Sequence, residues 1–183
     1  MMQPRYDYNI REELFKTIEE EFGGAKIAKK YLESKDASVF EEWGKNLMER
    51  TYELGIKPEN IDHMYEMIKL SAEKTGEIRF PHEAQRFIEI TCLSIHLMSV
   101  VLIQTAYNKE LSFSIVEDTC TVHNKLKEAL PEEDLKILPC KNGCLTIWKT
   151  IFNILKMDDV EVSQTQEMPR DGMCTFLAQK NKN

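Results

Sequence analysis

The chain has 183 residues, 42% apolar and 30% charged, a composition typical of an ordinary folded protein and unlike that of a disordered or fibrous one. Its formal charge is −7, from 24 basic and 31 acidic side chains with no lysine or arginine run, which argues against a phosphate backbone, and so against nucleic acid, as a partner. One domain over residues 1–183 is expected, because a chain of this length buries roughly 70% of its surface in a single core.

Residues 1–6 hold no apolar leader core, so a cytoplasmic protein is expected. Ile10, Leu14, Ile18 and Phe22 recur every four residues among glutamates, which predicts a surface helix interrupted at Gly23 and Gly24. Ile27, Tyr31 and Leu32 continue as a shorter helix to Ser34. Phe40, Trp43, Leu47 and Leu54 predict a helix over 39–54 with Gly55 as its cap. Pro58 is then read in the first turn of a helix carrying Ile61, Met64, Tyr65 and Ile68 on one face and stopping before Gly76. These elements make a helical N-terminal part over 1–80.

A connector over 75–81 leads to the longest apolar segment, expected as one central helix from 82 or 83 to near 108. Residues 90–106 carry no formal charge, but they include Thr91, His96, Ser99 and Gln104. The run also falls short of the ~20 apolar residues a bilayer span needs, so it reads as a buried helix and no membrane partner is expected. An apolar pocket is expected beneath it, lined by Phe87, Cys92, His96 and Met98 and, from a later helix, Trp148.

The period then falls to two: Leu111, Phe113 and Ile115 alternate with Ser112 and Ser114, the pattern of a half-buried strand. A helix over 121–130 follows, and residues 135–138 are read as extended because Pro139 disfavours helix in the residue before it. Leu145, Trp148, Ile151, Phe152 and Leu155 mark a further helix opened by Asn142 and Gly143. Val160 and Val162 restart the two-residue period, Pro169 to Gly172 form a turn, and residues 174–178 alternate again, which predicts a C-terminal hairpin with a frayed tail at 179–183. The expected fold class is α+β: N-terminal helices and a long central apolar helix packed on a small antiparallel sheet formed late, with 81–178 as the helix and sheet region.

Four of the five cysteines, Cys120, Cys140, Cys144 and Cys174, fall in the last 64 residues, with His123 three places after the first. Thiols and an imidazole are what zinc or another soft metal takes, so a subset of Cys120, His123, Cys140, Cys144 and Cys174 is a candidate metal site. Cys120 with His123 is also a candidate nucleophile and base. Cys140 and Cys144 flank a predicted helix start, where free N–H groups lower a thiol's pKa. A free cysteine serves equally well as a small buried hydrophobe, so inert packing is compatible with the same residues. His63 and His82 are read at surface positions. No glycine-rich phosphate loop, nucleophile elbow or H-E-x-x-H pattern is present, which removes nucleotide hydrolysis and zinc-protease chemistry.

Glu117 to Val122, Pro139 to Gly143, a helix, Val160 to Val162 and Asp171 to Phe176 together resemble the vinyl-reductase-type ligand-binding domain and the related thiazoline-carboxylate-hydrolase-like proteins. The resemblance covers the C-terminal third. It implies helices packed on an antiparallel sheet around an apolar pocket, often in a dimer, that holds a small hydrophobic or heterocyclic molecule. In some relatives three cysteines and a glutamate hold zinc; Cys140 and Cys174 match the outer two ligands, while Ser163 and Gln166 stand at the inner positions. The expected function is therefore small-molecule binding or sensing. The alternatives are hydrolysis of a small cyclic amide or amidine by a cysteine nucleophile, and a structural helical dimer with inert thiols.

Overall fold

The computed structural model describes residues 10–76, 80–96, 101–107 and 109–181, the stretch 101–107 by its backbone. Helix α1, Glu12–Phe22, buries Leu14 and Ile18 and ends at Gly23; α2, Gly24–Ser34, buries Ile27 and Ala28. The stripe Phe40, Trp43, Leu47 and Leu54 is the buried side of α3, Ser38–Gly55. Pro58 opens only a short 3-10 turn, Pro58–Asn60, and not the next helix. Helix α4, His63–Thr75, starts where Asp62 caps it, with Oδ1 accepting from the Tyr65 backbone N–H at 2.9 Å, and ends at Gly76 in the left-handed region.

The next helix is central, as its composition requires, and shorter than expected. Helix α5, His82–Ile95, is buried all round, and polar Glu83, Gln85, Arg86 and Glu89 are enclosed with its apolar residues. It stops at Ile95, His96 is extended, and Val101–Tyr107 form strand β1. Residues 101–107 are rich in β-branched and aromatic types, and an uncharged run with only scattered polar residues has no clear period that separates a buried helix from a buried strand; pairing with the next strand decides it.

Strand β2, Glu110–Val116, pairs antiparallel with β1 and with β4, Met173–Lys180, and β4 pairs with β3, Val160–Gln166. The order is β1-β2-β4-β3. The predicted C-terminal hairpin is the β3–β4 pair, and the tail read as frayed stays in the sheet up to Lys180. Strand β2 is buried on both faces, not one. On one face Phe113 meets Trp148 edge-on at 5.4 Å, and Phe176 lies 6.2 Å from the same indole. On the other, Thr175 donates to Gln166 Oε1 at 2.7 Å and joins Ser114 at 2.8 Å.

Between β2 and β3 lie α6, Thr121–Lys127, the short α7, Glu132–Leu135, and α8, Cys140–Ile154. Leu135 to Leu138, read as extended, instead close α7 and turn into α8, which begins two residues earlier than Asn142. Helices α3 and α8 cross so closely that a Cβ on Gly44 would run into the Gly143 carbonyl. This crossing holds α8 against the core with its first turn over one end of the sheet. Among the described residues no helix is long and apolar enough to cross a membrane.

Candidate functional site

Three local events bring the late cysteines together. Cys120 is the N-cap of α6, its sulfur accepting from the His123 backbone N–H at 3.4 Å. Cys140 and Cys144 stand one turn apart at the start of α8. Cys174 pairs in register with Ile115, and strand alternation puts it on the face that carries Phe176 and Ala178, toward the helices. All four line one cavity of about 270 Å3.

The cavity is lined by the buried Trp43, Ile115 and Phe176, and by Lys136, Ile137, Lys141 and Glu167 at its partly exposed rim. Ile137 is 79% exposed at this rim. Lys141 pairs with Glu167 at 3.1 Å across the rim. His96, His123 and Gln164 reach the cavity from its wall. Both ring nitrogens of His96 and of His123 are buried without a hydrogen-bond partner among the described residues, and the Gln164 amide lies beside the Cys174 thiol. An unpaired buried polar group costs about 1–3 kcal/mol, so two such imidazoles beside one space are costly unless a small movement gives them a partner there.

Electrically the interior is neutral. Burial pushes the Cys120 and Cys92 thiols up to about 12, and raises Cys140, Cys144 and Cys174 as well. The helix start that was expected to lower the Cys140 and Cys144 values is outweighed by desolvation. Burial likewise takes His96 down to about 4 and lowers His123, so both rings are neutral at pH 7.

Of the residues expected at the pocket, His96 lines it. Cys92 is buried behind it, within electrostatic reach of Cys120 and Cys144. Trp148 backs the wall through Phe113 and Phe176 without lining it. Phe87 is elsewhere, between Tyr52 and Tyr65 under Arg86. Met98 lies outside the described residues. The cavity thus sits at the C-terminal end of α5, not along a helix reaching 107. His82, read at the surface, is partly buried, with its pKa lowered by desolvation.

Cys120 and His123 share the cavity, but the imidazole makes no hydrogen bond to the thiol, the contact a Cys–His nucleophile uses. The zinc set implied by the resemblance does not assemble either. Ser163 is exposed on the outer side of β3, and Gln166 is engaged by Thr175 on the sheet face away from Cys174. Among the described residues no three His, Cys, Asp or Glu side chains are placed to hold one ion.

Gln164, Trp43, Ile115, Val122 and Phe176 are among the contributors that sequence reading missed. Extending the period of Val160 and Val162 by two residues places Gln164 on their face, and a lone amide among inward apolar positions was the available signal. Trp43 belongs to the predicted stripe of α3, and its ring lies so close to Gly143 of the distant helix α8 that a Cβ there would meet it at 3.0 Å. No family model, curated protein or solved structure matches the chain.

Proposed function

We propose that the protein binds a small, neutral, apolar or heterocyclic molecule in the cavity between the start of α8 and the sheet, as a sensor or carrier. The observation that supports this reading is that two buried imidazoles, His96 and His123, with no hydrogen-bond partner among the described residues, line one space together with Gln164, four thiols and the rings of Trp43 and Phe176. Apolar walls supply affinity, while a few convergent polar groups orient the guest. With neutral imidazoles and thiols, nothing inside offsets a buried charge, so the part of the ligand within the cavity is uncharged. Its size suits one ring system, since about 300–1,000 Å3 is usual for drug-sized ligands.

The family resemblance of the C-terminal third points to the same function, and the homodimer it implies is tested by sedimentation. Five unpaired thiols suit a reducing compartment. Native mass spectrometry of protein purified without harsh washing should find an organic mass on the chain, or single-ring compounds should quench Trp43 at the cavity wall. Filling the space with Cys144→Phe should weaken that binding by about tenfold or more, a loss of at least ~1.4 kcal/mol. A protein that carries no such mass and whose fluorescence answers no ring compound would remove the reading.

A further inference from the structure

A second space adjoins the first. It is a groove of about 670 Å3 between α1, the start of α2 and the end of α5, with a floor of Ile10, Phe15, Leu93 and Ile95. Of the charged groups that line it, Lys16 pairs with Glu12 at 2.7 Å, Lys26 donates to the Glu20 carbonyl, and Glu19 is exposed. Ile10, Phe15, Leu93 and Ile95 supply its apolar part. Two features join the groove to the inner cavity. His96 lines both spaces, and at the start of α6 Cys120 and Val122 face the cavity while Thr121 between them faces the groove. Among the described residues, His96 and the start of α6 border both spaces. The imidazole is 5% exposed and has no hydrogen bond among the described residues, so none of these is lost when the ring turns aside.

We infer that the two spaces form one binding tract that takes an elongated ligand, with a ring in the thiol-lined cavity, a polar atom on His96, and a flexible apolar tail along the groove floor of Ile10, Phe15, Leu93 and Ile95. This rests on the cavity reading and extends it, because it assigns a ligand class of ring plus alkyl chain where the inner cavity alone would take a bare ring. The tail gains by leaving water, and each methylene laid on the groove contributes independently of the ring's hydrogen bonds.

The test is a chain-length series. The 4-n-alkylbenzamides from methyl to octyl are titrated into the full chain, followed by Trp43 fluorescence and by calorimetry for stoichiometry. The expected result is one molecule per chain, with affinity rising about two- to fourfold per methylene over the first several. Phe15→Ser should weaken the octyl member by about tenfold while leaving the methyl member within about twofold, since the short chain never reaches the groove. Ile10→Ser, ahead of α1, should give the same split from a position outside the helices. Affinity that stays flat or falls with chain length would overturn the tract, as would equal weakening of both members or two molecules bound per chain. If the methyl member binds and length has no effect, the tract alone fails; if no member binds, the cavity reading fails with it.

Discussion

His96 sits at the junction of α5, the inner cavity and the outer groove, 5% exposed and its ring without a hydrogen bond among the described residues. Burial holds its pKa at about 4, below the ordinary 6.5. The folded state thus takes up a proton less readily than the unfolded chain. The stability this contributes is fully present above pH 6.5 and is lost as the pH falls through about 4. Thermal unfolding followed from pH 7 to pH 4 should show a falling Tm that His96→Leu makes shallower. At pH 7 the same variant should be as stable as the parent or more so, because it removes two unpaired polar atoms. The thiols shift in the opposite sense. Their raised values keep them protonated, so iodoacetamide at pH 8 should alkylate the native protein far more slowly than the urea-unfolded chain, in a comparison read by mass spectrometry. Rapid native labelling of Cys120 or Cys140 would revive the nucleophile reading.

At the scale of elements, the helices with one apolar stripe were legible from their period alone. In α1 and α3 the stripe faces the core as read, because a side chain every three or four residues has only one face to bury. The error fell where no such contrast exists. Residues 90–106 are uncharged throughout, and nothing in their spacing marks the point where α5 gives way to β1. Gly44 and Gly143 show the same limit from the other side. Each reads as an ordinary helical glycine, but together they are the contact that lets α3 and α8 cross. Gly44→Ala should cost about 1–3 kcal/mol in urea unfolding, the range for overpacking a close contact, while the same change at Gly76, whose Cβ would meet nothing, should cost only the strain of its positive φ.

Across the whole molecule, α5 is tied to the N-terminal helices by one buried cation. Arg86, fully buried, pairs with Asp62 at 3.0 Å, donates to the carbonyls of Gly55 and Asn60, and lies 4.4 Å from the Tyr65 ring. It therefore joins the end of α3, the turn before α4 and α5 at once. Arg86→Met should destabilise by about 3–5 kcal/mol, because it leaves the Asp62 carboxylate buried without its partner. Calorimetry should show one cooperative transition shifted down, not the loss of α4 alone. The proposed ligand site lies at the opposite end of α5, so any binding there should survive this substitution at low temperature.

The sequence by itself determined the α+β class, the helical first half, the C-terminal hairpin and the identity of the late thiols, since each follows from local period, turn chemistry or residue type. Tertiary structure alone decided that Cys120, Cys140, Cys144 and Cys174 face one space, that Phe87 does not, and that Gln164 and Trp43 do. A strand register and a helix crossing fix those positions, and both join residues far apart along the chain, where local spacing carries no information about distance.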